Sequence, residues 1–322
     1  MIKKRLVGLF AVFVLLLSNN VYAIPEEVVA VGRAVGIGVR CDGLVVVGFS
    51  QDSAAKDSGL RQGDRIVRVD GETVEEIETL RTMLQDKSQV TVTAMRDTQE
   101  KSFLVPLKEE NGIMRLGINV KSEMTGIGTI TYYDPETKEY GALGHGITDG
   151  MKLFPVEEGI ICRATILGVE TGKPGTPGML QGAFDLSTKI GTVTKNTACG
   201  IFGTLDVPLE GRLLKVGDES EVKTGAAVIL CNVEGERVEQ YTVEITQLSP
   251  AEDSTGRNMM IHVTDERLLR RTGGIVQGIS GSPIIQNGKI VGAITHVLVN
   301  DPTTGYGIFI ENMLEAVGNS IN

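Results

Sequence analysis

Short apolar runs separated by glycine-rich turns dominate the pattern of hydrophobic and polar positions along this chain. Most runs are rich in Val and Ile, and several alternate apolar with polar residues, as in a strand with one buried face. Helical spacing of apolar residues is rarer and is clearest at Val74, Ile77, Leu80 and Leu84. The pattern therefore predicts a mainly β protein with few helices.

Residues 27–108 carry the pattern of one small α+β domain. An apolar strand at Leu44–Phe49 is followed by the run S-A-A-K-D-S-G-L-R-Q-G-D-R-I-V-R-V-D-G, which begins at Ser53. The amphipathic helix comes next, and alternating strands at Gln89–Met95 and Lys101–Leu107 complete the unit. The order of elements and the S-A-A…S-G-L-x-x-G-D-x-I…V-D-G run resemble a bacterial PDZ domain.

The PDZ resemblance implies a peptide-binding groove. PDZ domains add an extended peptide to a sheet edge beside a helix. Backbone N–H groups of Gly36, Ile37, Gly38 and Val39 are expected to hold the peptide carboxylate, with the amphipathic helix along the groove. The alternative is a PDZ fold that only packs against its neighbour.

Residues 112–322 form a second predicted unit, after a charged, glycine-containing hinge at Lys108–Gly112. The many short strands and the length of this unit suit two packed six-stranded barrels. Its most informative stretch is G-I-S-G-S-P, from Gly278 to Pro283, which looks like the nucleophile loop of a chymotrypsin-like serine peptidase. The strands and short terminal helix that follow agree with that architecture.

Ser280 is the predicted nucleophile because a serine on a tight turn between glycines presents both its hydroxyl and nearby N–H groups. The N–H groups of Gly278 and Ser280 are expected to form the oxyanion hole. Ser282, in the same loop, is the alternative nucleophile. The alternative interpretation of the motif is a glycine-rich β-turn with no catalytic role.

A serine needs an adjacent base, and histidine is the usual one. Of the three histidines in the chain, His145 lies in the turn-like run G-A-L-G-H-G-I-T-D. His262 falls in a predicted strand, and His296 follows Ser280 on the strand predicted to form a wall of the substrate cleft. Chymotrypsin-like order places the base well before the serine, in the first barrel, so His145 is the predicted general base.

The acid that orients the histidine is not settled by the residues alone. Spacing by analogy with chymotrypsin favours Asp185, which lies between His145 and Ser280. Asp265, in V-T-D, is the other candidate. Both alternatives stay open at this point.

The N-terminal residues 1–26 predict export. The basic residues Lys3–Arg5 precede an apolar run at Leu6–Leu17 and small or polar residues up to Ala23, as in a signal peptide. The run is short for a membrane span, so a cleaved signal peptide and a retained membrane anchor are both open. In either case we expect the rest of the chain to work outside the cytoplasm.

Composition and charge argue against nucleic-acid binding and against a metal site. The net charge of −10 and the lack of a basic stripe argue against nucleic-acid binding. Four widely spaced cysteines without a C-x-x-C pair argue against a zinc site, and no cofactor or metal is expected. Buried free thiols are favoured, with one disulfide as the alternative in an exported protein.

Taken together, the export segment, one PDZ domain and three long motifs resemble the SpoIVB peptidases, sporulation-stage-IV serine peptidases of spore-forming bacteria. The motifs are G-H-G-I-T-D, T-G-G-I-V-Q-G-I-S-G-S-P-I and G-A-I-T-H-V-x-V-N-D-P-T-x-G-Y-G-I-F-I. The resemblance covers nearly the whole chain. It implies Ser280 as nucleophile, His145 as base and Asp265 as acid.

The resemblance also implies a biological role. Such a peptidase is exported from the forespore into the space between forespore and mother cell. It cuts its own N-terminal region, and it cuts the regulatory subunit of a membrane protease complex, which triggers processing of a late mother-cell sigma factor precursor. The PDZ domain contributes to recognition of both. The alternatives are a general extracytoplasmic quality-control protease and a non-catalytic PDZ adaptor.

Overall fold

The computed structural model describes residues 24–149, 152–249 and 257–318. Its helices are α1 (Ala54–Asp57), α2 (Ile77–Leu84), α3 (Glu266–Thr272) and α4 (Ile310–Gly318), with a 3-10 turn at Glu219–Glu221. Its strands, in chain order, are β1 (Glu27–Ala30), β2 (Ala34–Phe49), β3 (Arg65–Val69), β4 (Glu72–Thr73), β5 (Gln89–Arg96), β6 (Gln99–Pro106), β7 (Lys108–Glu110), β8 (Ile113–Arg115), β9 (Ile118–Tyr133), β10 (Glu139–Ala142), β11 (Glu158–Glu170), β12 (Met179–Thr192), β13 (Lys195–Thr197), β14 (Gly200–Thr204), β15 (Arg212–Val216), β16 (Gly225–Glu234), β17 (Arg237–Leu248), β18 (Met259–Val263), β19 (Pro283–Gln286), β20 (Lys289–Leu298) and β21 (Asp301–Phe309).

Four hydrophobic clusters organise the described elements: three are the cores of the two barrels and of the small α+β unit, and the fourth packs α4 against the barrels. The first barrel, built on β9 to β14, encloses Val35, Ile130, Tyr140 and their neighbours. The second barrel, built on β16 to β21, encloses a cluster that includes Ile229. The small α+β unit has its own core around Ile66. The mainly β class, with a PDZ domain and a barrel-containing peptidase part, is therefore confirmed.

Two long strands run through both the first barrel and the small unit. Residues 34–40 of β2 form part of the barrel wall, where they pair with β9 on one side and with β11 on the other. Past a bulge, Leu44 and Val45 of β2 pair with β3, so the same strand continues into the PDZ sheet. At the bulge, Gly43 has φ +102°, and a Cβ there would lie 2.3 Å from the Ile66 carbonyl oxygen. The PDZ unit thus projects from the barrel between β2 and β9.

The segment Gly36–Val39, predicted to be a free loop that holds a peptide carboxylate, is instead the middle of β2. Gly36 pairs with Ile127 of β9 and with Cys162 of β11, and the next three residues pair on both sides in the same way. The prediction of a peptide-binding loop here is wrong, because both backbone edges of the segment are already occupied.

The N-terminal strand β1 also belongs to the peptidase part. It pairs with β15, which connects the two barrels, and with the end of β9. Gly32 follows it with φ +71°, and a Cβ at this position would lie 2.6 Å from the Leu230 carbonyl oxygen in the second barrel. Residues 27–40 therefore complete the peptidase architecture, although the sequence assigns them to the PDZ domain.

The remaining expectations have simple outcomes. The expected hinge at Lys108–Gly112 forms β7 and the turn of the β7–β8 hairpin. All four cysteines are free, and Cys41, Cys162 and Cys231 are buried. In the portion of the chain that the structure describes, no helix is long and apolar enough to cross a membrane. Nearly all of the predicted export segment lies outside the described residues.

Candidate active site

His145 stands at the mouth of the cleft between the two barrels. It follows β10 through a turn in which Leu143 and Gly144 have φ values of +70° and +68°. A Cβ on Gly144 would lie 3.0 Å from the Thr295 side chain and 3.3 Å from the Ile294 carbonyl oxygen. Glycine therefore lets the His145 turn approach the second barrel closely.

Ser280 lies on the facing loop, between α3 and β19. Gly278 and Gly281 have φ values of +101° and +96°, and a Cβ on Gly281 would lie 2.1 Å from the Thr129 carbonyl oxygen. Both positions need glycine for conformation, and Gly281 also needs it for space. The loop is thus a tight, left-handed turn pressed against the first barrel.

Strand β9 fixes the backbone of this loop from the first barrel. The Thr129 N–H donates to the Ser280 carbonyl over 3.1 Å, and the Thr129 hydroxyl donates to the Gly278 carbonyl over 2.8 Å. The Thr131 hydroxyl donates to the Gly281 carbonyl over 2.7 Å. Both threonines are buried. Sequence reasoning missed them, because nothing in the motif around them marks a strand that contacts Ser280.

The two loops line one cavity of about 450 Å³ between the barrels. His145, Gly278 and Ser280 border it, and among the described residues that line it the ionisable side chains are those of His145 and His296. The rest of its wall is mainly apolar, with Met124 to Ile127 of β9, Ile147, Pro177, Ile275, Val276, Val297 and Val299. The structure thus brings Ser280 and His145 together in an apolar cleft.

The hydrogen bonds describe a resting arrangement. The Ser280 hydroxyl donates to the Thr295 carbonyl over 2.7 Å rather than to His145. His145 Nδ1 lies 3.0 Å from the Gly146 carbonyl oxygen, so Nδ1 carries the proton and Nε2 is the free acceptor. The His145 ring packs on His296, with 4.7 Å between the ring centroids. A base is therefore available, and rotation of Ser280 is needed to reach it.

Burial sets the charge state of the two imidazoles. Desolvation lowers the pKa of His145, and the hydrogen bond to the Gly146 carbonyl opposes part of that shift. Desolvation also lowers the pKa of His296, and the positive charges of His145 and Arg257 lower it further. A neutral His145 at neutral pH is the form that can accept a proton.

The predicted oxyanion donors are free to act. Within the described part of the chain, neither the Gly278 N–H nor the Ser280 N–H donates to a protein acceptor. The neighbouring amides are occupied, since Gly281 donates to the Ile294 carbonyl and Ser282 donates to the Ile279 carbonyl. Two unpaired amides beside a serine hydroxyl are the arrangement that stabilises a tetrahedral oxyanion.

Asp265, predicted as the orienting acid, is not in contact with His145. It is the N-cap of α3, where its carboxylate accepts from the Arg267 N–H over 2.9 Å and from the Arg267 guanidinium. A further hydrogen bond comes from the Thr242 N–H over 3.3 Å. The Arg267 hydrogen bond lowers the pKa of Asp265 to about 2. Its role in the triad stays a prediction that this arrangement does not display.

Apart from His296, the remaining sequence candidates have hydrogen-bond partners other than His145. Asp185 is on β12, where it accepts a hydrogen bond from the Ser187 N–H over 2.8 Å. Ser282 is fully buried and donates to the Ile279 carbonyl over 2.7 Å, so it cannot attack a substrate. His262 lies on β18 beside Thr304, with 3.3 Å between Nδ1 and the hydroxyl oxygen. In residues 24–149, 152–249 and 257–318, no group of three His, Cys, Asp or Glu side chains is placed to hold a metal ion.

Comparisons with solved structures give distant similarity. The PDZ domain of the SdrC-like protein from Listeria monocytogenes is 22% identical and covers 26% of this chain and 90% of its own, with a TM-score of 0.23. The active form of the Rv3671c protease from M. tuberculosis is 14% identical and covers 62% of this chain and 77% of its own, with a TM-score of 0.36. The HtrA-type protease AlgW with a decapeptide is 11% identical and covers 65% and 57%, with a TM-score of 0.35. No curated protein matches the chain.

Family profiles give a closer assignment. The PDZ domain profile matches residues 27–107. The profile of the SpoIVB peptidase S55 family matches residues 112–314, which is more than half of the chain and contains both His145 and Ser280. With a serine, a histidine and two free amides at one cleft, the chain belongs to the SpoIVB peptidase family S55, and it is a serine peptidase that carries a PDZ domain.

Proposed function

We propose that this peptidase is an endopeptidase of sporulation signalling that uses Ser280 as nucleophile and His145 as general base. The observation that carries the chemical part is the cleft itself. It brings the Ser280 hydroxyl, the His145 ring and two unpaired N–H groups to one open cavity. An apolar cleft open to solvent suits an extended segment of a protein substrate.

The chemistry follows from these groups. The Ser280 hydroxyl turns from the Thr295 carbonyl to His145 Nε2 and gives up its proton there, while its oxygen attacks the scissile carbonyl carbon. The Gly278 and Ser280 N–H groups stabilise the negative oxygen of the tetrahedral intermediate. His145 then protonates the departing amine, and the C–N bond breaks. Water hydrolyses the acyl-enzyme by the same route and restores Ser280.

The biological part of the proposal rests on the family. We place the enzyme in the space between forespore and mother cell, delivered and held there by residues 1–26 as a signal peptide or membrane anchor. Its substrates are its own N-terminal region and the regulatory subunit of a membrane protease complex. Cutting that subunit triggers processing of the late mother-cell sigma factor precursor.

The PDZ unit recruits these substrates in this proposal. An extended segment of substrate adds to the edge of the PDZ sheet beside α2, which is the binding mode of such domains. The double-sided pairing of Gly36–Val39 excludes that segment as the docking point. The long strand that contacts α2 is β9, whose residues 118–121 pair with β2.

The test compares wild type with Ser280→Ala. Wild type should label with a fluorophosphonate probe and should shorten its own N-terminal region, as seen by intact mass. Ser280→Ala should do neither, with a loss of roughly 10⁴–10⁶-fold in turnover. Ser282→Ala should still label. Near-normal cleavage by Ser280→Ala, or no labelling of wild type, would contradict the proposed chemistry; the second result would favour a non-catalytic adaptor.

The biological part has its own test. The purified enzyme and the purified regulatory subunit of a sporulation membrane protease complex should be incubated together. Cleavage of that subunit at one or a few sites, but not of unfolded casein at a comparable rate, supports a signalling role. Faster and unselective cleavage of casein would point to quality control.

A further inference from the structure

The side chain of Asn196 holds the backbone that follows His145. Asn196 lies on β13, and its Oδ1 accepts from the Ile147 N–H over 2.9 Å. Its Nδ2 donates to the Ile147 carbonyl and to the Phe154 carbonyl, each over 2.8 Å. One side chain therefore binds both backbone polar groups of Ile147 and joins the two ends of the loop 147–154.

These three hydrogen bonds fit the amide in one orientation. The oxygen faces an N–H group and the nitrogen faces two carbonyl oxygens, so exchanging the two atoms would lose all three bonds. The Phe154 N–H also donates to the Ile147 carbonyl over 2.8 Å, which closes the loop beside Asn196. A side chain of this size that lacks the acceptor or the donors cannot make the same contacts.

The peptide group between Gly146 and Ile147 connects Asn196 to the catalytic ring. Its N–H donates to Asn196, and its carbonyl lies 3.0 Å from His145 Nδ1 and accepts from it. Because a peptide group is planar, fixing the N–H also fixes the direction of the carbonyl. The bond to Asn196 further polarises the group and makes the carbonyl a better acceptor. A continuous chain of hydrogen bonds thus runs from Asn196 to His145.

Strand pairing sets the position of Asn196 independently of the loop. Asn196 pairs with Ile201 of β14, and Ile201 pairs on its other side with Ala142 of β10. Strand β10 leads directly into the turn that carries His145. A Cβ on Gly146 would lie 3.3 Å from Asn196 Oδ1, so the loop packs closely on this side chain. Asn196 and His145 are therefore held in register by neighbouring strands of one sheet.

The surroundings of His145 leave the orienting task to the Gly146 carbonyl. Among the described residues, the candidate acids Asp265 and Asp185 form their hydrogen bonds elsewhere. The titratable group that faces the His145 ring is His296 of β20. Burial lowers the pKa of His145, and the hydrogen bond to Gly146 raises it. In the described part of the chain, the acceptor at His145 Nδ1 is thus a backbone carbonyl.

We propose that Asn196 is the positioning residue of the general base. It holds the Gly146 carbonyl toward His145, which keeps one proton on Nδ1 and leaves Nε2 free to accept the proton of Ser280. When that proton arrives, the carbonyl continues to accept from Nδ1–H of the imidazolium, and the Nε2 proton then passes to the departing amine. Asn196 acts through one peptide group, as a carboxylate acts directly in a Ser-His-Asp triad. The inference rests on the proposed role of His145.

The test compares Asn196→Leu and Asn196→Asp with wild type in the full chain. Leucine is close in size and makes no hydrogen bonds. Aspartate keeps an acceptor for the Ile147 N–H, but its second oxygen faces two carbonyl oxygens that repel it. Thr197→Val is the matched control on β13, because the Thr197 hydroxyl bonds only within the turn at residues 197–200. Circular dichroism and thermal unfolding give the folded fraction of each variant.

The labelling rate and its pH dependence are the first readout. Per folded molecule, both Asn196 variants should label with fluorophosphonate roughly 10²-fold more slowly than wild type, as expected for a misplaced catalytic group. Thr197→Val should label at the wild-type rate. The acid limb of Asn196→Leu should move to lower pH, because the hydrogen bond that raises the pKa of His145 is weakened. The acid limb of Asn196→Asp should move to higher pH, because a nearby negative charge raises the pKa of an imidazole.

Nitrogen-15 NMR of the histidine rings reads the positioning without catalysis. At a pH where His145 is neutral, wild type and Thr197→Val should carry the His145 proton on Nδ1. In Asn196→Leu the proton should be shared between Nδ1 and Nε2. The His145 signals are assigned by their loss in His145→Gln.

Three results would overturn the role of Asn196. They are a wild-type labelling rate, a wild-type acid limb, or an unchanged Nδ1–H signal in folded Asn196→Leu. If Asn196→Leu did not fold, the same three measurements on Asn196→Asp would decide. If wild type itself did not label, the proposed catalytic function would fail, while the NMR signals would still decide whether Asn196 positions His145.

Discussion

Two glycine-rich segments of this chain look alike in sequence and do opposite things in the structure. The Ser280 loop and the segment Gly36–Val39 are both predicted to present backbone N–H groups to a ligand. In the first, Gly278 and Gly281 adopt positive φ, and two amides stay free. In the second, the chain is extended and its backbone pairs on both sides. Glycine thus allows a positive φ in the Ser280 loop, whereas in Gly36–Val39 it leaves room for neighbouring side chains.

Space is what the second segment needs. A Cβ on Gly36 would lie 2.4 Å from the Phe184 ring, and a Cβ on Gly38 would lie 3.0 Å from the Leu186 side chain. Both neighbours are on β12, which crosses over β2 at this point. Because Gly36 and Gly38 have no side chains, β12 can pack closely on β2. The same glycine pattern would suit a carboxylate-binding loop, so the sequence does not distinguish the two.

The largest expected effect is the loss of folding when β1 and the barrel part of β2 are removed. Both strands lie in residues 27–40, which the sequence assigns to the PDZ domain. A chain that starts at residue 112 lacks β1 and the barrel half of β2, so β9, β11 and β15 lose partners. We expect it to be unfolded, as measured by thermal unfolding and near-UV circular dichroism.

A matched variant keeps those strands and removes the PDZ unit. Arg40 and Glu123 are antiparallel partners, so an Asn-Gly turn can join them in place of residues 41–122. This variant should fold cooperatively and label with fluorophosphonate. If the chain from 112 folded as well as the hairpin variant, the structural role of residues 27–40 would be refuted.

Next in size are substitutions at the two kinds of glycine. Gly281→Ala should abolish fluorophosphonate labelling, because its Cβ would lie 2.1 Å from the Thr129 carbonyl oxygen at a positive φ. Gly36→Val should destabilise the barrel by about 1–3 kcal/mol through overpacking against Phe184. Both are measured by denaturant unfolding beside the labelling rate.

A second-site change separates the two roles. Phe184→Ala should restore much of the stability of Gly36→Val, since it removes the ring that the new side chain meets. No change that shortens a side chain should rescue Gly281→Ala, because backbone atoms surround that position. If Phe184→Ala did not restore the stability of Gly36→Val, close packing against Phe184 would not be the reason for glycine at position 36.

Asp265 should show a smaller effect, through the fold. Asp265→Asn weakens the ion pair with Arg267 and should cost about 1 kcal/mol of stability at pH 7, within the range of helix N-cap changes. Asp185→Asn, at an exposed position, is the control. The folded pKa of about 2 lies below the usual aspartate pKa of 3.8, so this contribution is present above pH 3.8 and is lost as pH falls toward 2.

The same pair of variants tests the triad assignment. If Asp265 acts only as the cap of α3, Asp265→Asn should keep most of its turnover per folded molecule. A loss of about 10⁴-fold in a folded protein would instead show that Asp265 reaches His145 during catalysis. The turnover rate is measured and divided by the concentration of folded enzyme, or by the concentration of enzyme that fluorophosphonate labels.

The smallest expected effect is the position of the acid limb of the pH profile. Burial lowers the pKa of His145, so the neutral base should persist below the usual histidine range. The labelling rate should therefore stay high as pH falls through 6.5 and decline only at lower pH. A decline centred above 6.5 would contradict a desolvated His145 as base. His296→Gln serves as control for the neighbouring ring.

The sequence by itself determined the fold class and the centre of the site. Periodicity predicted strands and one amphipathic helix from Val74 to Leu84, which the structure begins at Ile77. The G-x-S-G-x-P and G-H-G motifs pointed to Ser280 and His145, which line one cavity, because a turn that exposes a nucleophile needs glycine locally. Such signals survive in sequence because they depend on neighbours in the chain.

Tertiary structure alone decided the rest. Which edges of β2 are occupied and which threonines hold the Ser280 loop both depend on strands that are distant in sequence. Asp265 is likewise directed to Arg267 by the start of α3, whatever motif surrounds it. Strand pairing is non-local, and an apolar alternation specifies a buried face without naming the strand that will lie beside it.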